Sequence, residues 1–344
     1  MTTDFLLSLP VTLLPTLAFL ALLEQLDSFK LVSVRVLART FLAGALLAAV
    51  AFFLNDALIR HVFSDRGTYS LYGAPVAEEL LKASYMAFLF YRRRVGFLID
   101  AAVLGFAVGA GFSFAENLYF LWSLTNVDMG VWVVRGFGTA MMHGGATAIF
   151  AVLAQNLTER HTQGSLLHHA PGLMAAIAVH MVFNQMTAMP VMAMGVVSLV
   201  VPAVLFLLFA KSEHAVHNYL LAGHELHERI LVSLDEGFLA TPEGKLIADI
   251  VLKFRGDHLK SVIEYIRLHT ELVILAEEVL LAREARGKVP VPADVKRNFA
   301  RLHALEREIG RTTLLALWPH LKFSRREMAE LYEFEEMSRS PREI

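Results

Sequence analysis

The 344-residue sequence contains no cysteine, which excludes disulfides, thiolate metal ligands and a cysteine nucleophile from the outset. It also lacks a basic excess. Its 31 Lys and Arg against 33 Asp and Glu leave a formal net charge of -2, which offers no field for nucleic acid. Charged residues are scarce, at 19% against about 25% in ordinary soluble domains, and they thin out further before Lys211. No His-Glu-x-x-His string occurs. The nearest approach, His224-Glu225-Leu226-His227, is one residue short and reads as a solvated helix face. The first apolar segment has no basic start of the kind a cleaved leader carries, only Asp4, with Glu24 and Asp27 beyond it, and reads as a retained span.

What the sequence has in excess is apolar length. Hydrophobic residues make up 56% and the mean hydropathy is +0.51, which points to a lipid bilayer as the solvent. Helical spans of about 20 apolar residues fit near 5–24, 38–59, 74–91, 97–122, 131–156, 171–188 and 191–210, about seven crossings in all. Met189 and Pro190 mark a tight hairpin between the last two. Lys30, Arg35, Arg92, Arg93, Arg94, Arg160 and Lys211 fall on one side and Arg60 and Arg66 on the other, which places the N-terminus outside the cell and the chain after Lys211 in the cytoplasm.

The expected fold class is therefore all-α: a polytopic transmembrane helix bundle over residues 1–210, followed by a cytoplasmic helical domain over 211–344. In that domain helices are expected near 213–235, 245–287 and 293–317, with a break near Gly256 and a connection at Gly287, Pro290 and Pro292. Ser324 with Glu327 reads as the cap of a last short helix. The domain is expected to pack by itself or to hold a homo-oligomer together through its helices.

Ten polar side chains within the spans do not belong in lipid: Glu78, Glu79, Lys82, Asp100, Glu116, Asn117, Arg135, His143, His180 and Asn184. An ionisable group costs roughly 2.5–3.5 kcal/mol at mid-membrane, so these are expected to face the bundle interior. The alternating direction of the spans brings Glu78, Glu79, Glu116, Asn117, His143, His180 and Asn184 to one zone in the outer half. Lys82 shares a face with Glu78. Asp100 and Arg135, near the surfaces, read as anchors. Gly105 and Gly109 read as a small-xxx-small packing pair, and His161, His168 and His169 as loop residues with no ligand role. Ser113 and Thr139 lie nearby without the spacing of a triad.

This set suits peptide hydrolysis without a covalent intermediate. Glu78 takes a proton from water and returns it to the leaving amine, His143 and His180 hold the water, and Asn184 donates to the oxyanion. In this reading no cofactor takes part. The alternative on the same atoms is zinc, held by Glu78, His143 and His180 with a position open for water. Two alternatives of other classes are a proton-coupled transporter, since buried Glu and His also build relays, and an inactive scaffold that works through its cytoplasmic helices.

The motifs Glu78-Glu79-Leu80-Leu81-Lys82, Phe112 to Asn117 (F-x-x-x-E-N), His143, and His180 to Asn184 (H-x-x-x-N) resemble those of the PrsW family of intramembrane proteases. That family is related to the CAAX prenyl endopeptidases and the bacterial CPBP membrane proteins. Thr139 stands where the prenyl endopeptidases have Phe, and Lys82 comes one residue before their Arg, so the resemblance is to the PrsW branch. It implies a glutamate-dependent protease with Glu78, Glu79, His143, His180 and Asn184 as catalytic residues and Lys82, Glu116 and Asn117 in support. It further implies a bacterial inner-membrane protein that cuts single-span or membrane-associated proteins, in some members an anti-sigma factor, on the extracytoplasmic side.

Overall fold

A computed structural model of the protein describes residues 3–27, 29, 31–63, 65–124, 127–160, 166–255, 258–285, 292, 294–321 and 323–339. Lys30, His161, Gly256, Gly287 and Pro290 lie outside them. Every described element is helical. The chain divides into two compact units, Met1–Asp27 with Val34–Ser212, and Ser28–Ser33 with Glu213–Ile344.

The first unit contains α1 (Thr3–Leu26), α2 (Val34–His61), α3 (Ala74–Tyr91), α4 (Leu98–Ser123), α5 (Ala140–Arg160) and α6 (Ala170–Gln185), and α7 (Pro190–Asp235) begins in it. Pro75, Pro171 and Pro190 occupy first turns, where a missing N–H costs nothing. Among the described residues five stretches are long and apolar enough to cross a membrane: Leu7–Leu26, Val34–His61, Leu98–Ser123, Met129–Thr158 and Pro190–Asp235. The two other expected spans fall short for different reasons. α3 carries Glu78, Glu79 and Lys82 within its 18 residues, and α6 has only 16 residues. A five-residue π-helical stretch, Tyr69–Gly73, leads directly into α3, and a six-residue one, Val134–Thr139, into α5.

At the centre stands α4, buried without interruption from Ile99 to Ser113. Small residues allow this, because in lipid the gain comes from close packing and not from escaping water. Gly105 and Gly109 turn toward α5, and a Cβ on Gly109 would lie 2.1 Å from the carbonyl oxygen of His143. The expected packing pair is thus real, and it sets how near His143 comes. Asp100 is no lipid-boundary anchor; it is buried and accepts from the backbone N–H groups of Gly96 (2.8 Å) and Phe97 (2.9 Å), capping α4.

In the second unit α8 (Pro242–Arg255), α9 (Leu259–Glu284), α10 (Val295–Ile309), α11 (Arg311–Leu321) and α12 (Arg325–Ser338) bury a core that includes Val251, Val262, Val273, Leu305 and Phe334. The helix expected over 293–317 is divided at Gly310, whose φ of +82° lies where a side chain would be strained. Ser324 does cap the last helix, its Oγ accepting from Glu327 N at 3.0 Å. His269 lies deep in this unit, stacked on Phe323 with ring centroids 3.7 Å apart. Neither of its ring nitrogens has a hydrogen-bond partner among the described residues. Burial pushes its pKa from the ordinary 6.5 down to about 4.

Two outcomes follow. Gly109→Ala should overpack the α4–α5 contact by about 1–3 kcal/mol and lower the thermal midpoint of the purified protein. Gly195→Ala, whose Cβ meets nothing within 4 Å, should keep that midpoint or raise it slightly through helix propensity. Equal midpoints for both variants would contradict the close approach. Because His269 stays neutral when folded, the stability it contributes is complete above pH 6.5 and falls as the pH drops toward about 4. The expected slope is about 1.4 kcal/mol per pH unit. Melting curves of the full-length protein at pH 7.5, 6 and 5 should lose that part of their slope in His269→Phe.

Candidate active site

Helices α3, α4, α5 and α6 supply the carboxylates and imidazoles, and ion pairs fix which faces meet. On α3, Lys82 Nζ donates to Glu79 Oε1 at 2.6 Å, three residues back along the helix, and both side chains are sealed from solvent. Each member of the pair then reaches a further helix. Lys82 Nζ also donates to His143 Nδ1 on α5 at 2.9 Å, and Glu79 Oε1 also accepts from His180 Nδ1 on α6 at 2.8 Å. The two imidazole rings stand edge to face with centroids 4.8 Å apart.

These partners assign the tautomers. A carboxylate can only accept, so His180 carries its hydrogen on Nδ1 and leaves the Nε2 lone pair free. An ammonium can only donate, so His143 accepts on Nδ1 and carries its hydrogen on Nε2, which lies 3.4 Å from Glu116 Oε2. Glu116, on α4, is held in turn by Arg135 Nη2 at 3.1 Å. Arg135 also donates from Nε to Asn117 Oδ1 at 3.0 Å and packs over the Phe120 ring at 4.1 Å. Expected as a surface anchor, Arg135 is instead part of the site.

Glu78 differs from the other two carboxylates. Its Oε1 accepts from Asn55 Nδ2 on α2 at 3.0 Å, and Tyr69 OH donates to Asn55 Oδ1 at 2.5 Å. No cation lies within ion-pair distance of it among the described residues, although it is only 6% exposed. Glu78, Glu116, Arg135, His143, His180 and Asn184 line one cavity of about 770 Å³. Glu79, Lys82 and Asn117 stand behind its wall and hold the lining residues. Asn184 borders the cavity while its amide donates to the carbonyl of Ser70 at 2.9 Å. Ser113 Oγ accepts from Asn117 at 3.5 Å, and Thr139 lines the cavity.

The sequence reading overlooked Asn55 and Tyr69. The adjacent polar pair Asn55-Asp56 near the end of the apolar run 41–54 was the available signal for Asn55, whereas Tyr69 precedes its span and gave none. His169 packs its ring against Phe90 and Phe150. The four-residue string His224 to His227 is not wholly solvated: Glu225 is exposed, but His227 turns inward, its Nδ1 3.0 Å from Glu277 Oε1 and its Nε2 3.7 Å from Glu327 Oε2.

The expectation that no cofactor takes part is overturned. Glu78, His143 and His180 present ligand atoms that all lie within 4.8 Å of one another, the two-imidazole, one-carboxylate set of catalytic zinc sites. The fit has a second basis in Glu78, a buried carboxylate with an amide but no cation beside it, which a divalent ion would compensate. Coordination through His143 Nε2 would need the ring hydrogen on Nδ1: Lys82 would pass a proton to Nδ1 as Nε2 releases its own to water in the cavity, which leaves Glu116 ionised. Behind the ligands, the Glu79 carboxylate bonded to His180 Nδ1 is the outer partner that metal-binding imidazoles use. A family model described as PrsW family intramembrane metalloprotease matches residues 32–210. No curated protein and no solved structure matches the chain.

The Glu79–Lys82 pair can be tested apart from any activity. Glu79→Gln and Lys82→Met should each destabilise the purified protein by about 3 kcal/mol, because each strands a buried charge. The double variant should cost clearly less than the sum of the two. Additive losses in thermal unfolding would mean that the pair is not coupled.

Proposed function

The chain belongs to the PrsW family of intramembrane metalloproteases, and on that premise we propose that it hydrolyses a peptide bond of a single-span membrane protein in the cavity lined by Glu78, His143 and His180. The observation that carries this reading is the convergence of those three side chains from three helices around a carboxylate with no cation of its own.

Glu78, His143 and His180 would hold a zinc-type divalent ion, which when bound supplies Lewis-acid polarisation of a carbonyl and activation of water. Asn55 orients Glu78, leaving Oε2 toward the cavity. Glu79 keeps His180 in the tautomer whose Nε2 lone pair faces inward. With Glu78 engaged as a ligand, Glu116 is the remaining carboxylate in the wall, and it takes the proton of the attacking water and delivers it to the leaving amine. Arg135 holds Glu116 in place and sets a positive charge beside the negative charge that develops on the carbonyl oxygen. Thr139 and Asn184 remain on the wall to meet the substrate backbone.

We also propose that α3 and α6 complete a bundle of seven crossings. The three charges that set α3 apart from the five apolar stretches are those that the site uses, and in lipid such groups survive only inside a bundle. The distribution of Lys and Arg then puts the N-terminus outside, the second unit in the cytoplasm and the cavity in the outer half of the membrane.

Metal analysis of the purified protein should find about one divalent ion per chain, lost in His180→Ala and in Glu78→Ala. Cleavage of a reconstituted single-span substrate should stop on chelation, return with zinc, and fall at least a hundredfold in Glu116→Gln, whose metal content should be unchanged. Undiminished cleavage by metal-free protein would end this reading.

A further inference from the structure

A second cavity adjoins the polar one and differs from it in chemistry. It has a volume of about 360 Å³ and lies between α2 and α4, walled by Ala48, Ala51, Phe52, Phe112, Ala115 and Tyr119. Asn55, Glu78, Glu116 and Phe120 border both cavities, so the two meet at the Glu78 carboxylate. A chain whose peptide bond sits at Glu78, His143 and His180 therefore carries the side chain of an adjoining residue, one Cα step of about 3.8 Å away, to the mouth of the apolar cavity.

Size and charge select the occupant. An apolar cavity of about 150 Å³ takes a benzene-sized guest, so this one holds the largest aliphatic or aromatic side chain with room left. Alanine at 48, 49, 51 and 115 makes that room. A charged side chain would find no partner, because Glu116 is already paired with Arg135 and Glu78 belongs to the ligand set. Phe52, Phe53 and Tyr119 are exposed along the rim, with the Phe52 and Tyr119 rings 4.8 Å apart across the two helices. The cavity thus opens on an apolar lateral face, the direction from which a membrane-spanning segment arrives.

Resting on the proteolytic reading above, we propose that this cavity is the specificity pocket of the enzyme. It receives a large aliphatic or aromatic side chain from the substrate residue adjoining the scissile bond, and Ala49 and Ala115 set the size it admits.

The test uses full-length, metal-loaded protein in vesicles with single-span model polypeptides that differ only at the residue adjoining the mapped cut, which is Ala, Val, Leu or Phe. Wild type should prefer Phe or Leu to Ala by about tenfold or more in kcat/KM, the scale on which apolar pockets discriminate. In Ala115→Leu and in Ala49→Phe, which fill the cavity from opposite walls, that ratio should fall to about threefold or less. No preference in wild type, or a ratio unchanged in both variants while cutting persists, overturns the pocket and leaves proteolysis standing.

The absence of native cysteine allows a second readout. On addition of copper phenanthroline as oxidant, Ala115→Cys in a Glu78→Gln background should form a disulfide with a cysteine placed at that substrate residue, and none with one four residues further on. A crosslink without any Glu78-dependent cutting keeps a peptide-binding pocket and overturns the proteolytic reading instead. Absence of both overturns both. Shielding of the Ala115→Cys thiol from maleimide by lipid alone, with no crosslink, assigns the cavity to an acyl chain and overturns the proposal.

Discussion

Two opposite charges sealed away from solvent, Glu79 and Lys82, organise the membrane unit. Neither could be left alone in so apolar a setting, and together they still have hydrogen-bonding capacity to spare. That surplus draws in the two imidazoles, His180 to the carboxylate and His143 to the ammonium. One contact therefore decides which faces of α3, α5 and α6 meet, and also which nitrogen of each ring carries hydrogen. Packing and chemistry share the same atoms here. The central helix supports the arrangement by what it lacks, since without a side chain at Gly109 the backbone of His143 can come close.

Much of the site was legible in the sequence for a thermodynamic reason. An ionisable side chain in lipid is costly enough to stand out, so Glu78, Glu79, Lys82, His143 and His180 could be picked from the sequence alone, and the expected alternation of helix direction gathered all of them but Lys82 in one zone. Depth is readable in this way, but azimuth is not. Arg135 lies near the end of its span, where a long cation can reach the headgroups or turn inward, and only the observed bonds to Glu116 and Asn117 decide between them. Asn55 is a neutral amide with a lower cost, and it drew no notice although it holds Glu78. In the second unit, the one-residue difference between Leu226 and His227 separates an exposed face from a buried contact with Glu277, and a polar string carries no mark of that turn.

Whether a metal takes part could not be read from residue types, because one carboxylate and two imidazoles serve either chemistry. The distinction lies in pairing. Glu79 and Glu116 each have a cation at hand, while Glu78 has an amide. Glu78, Glu79 and Glu116 against Lys82 and Arg135 make three acids and two bases. Only the distances reveal which acid is the odd one.

The π-helical stretches Tyr69–Gly73 and Val134–Thr139 each precede a helix that carries site residues, α3 with Glu78 and Glu79 and α5 with His143. A π turn is an α-helix that has absorbed one additional residue, and each residue of an α-helix accounts for about 100° of rotation. The orientation of Glu78 and of His143 relative to the chain before them is thus a matter of residue number as well as residue kind. Single-residue deletions in either stretch, which substitution scanning never samples, would swing an intact set of ligands away from its common centre without altering one of them.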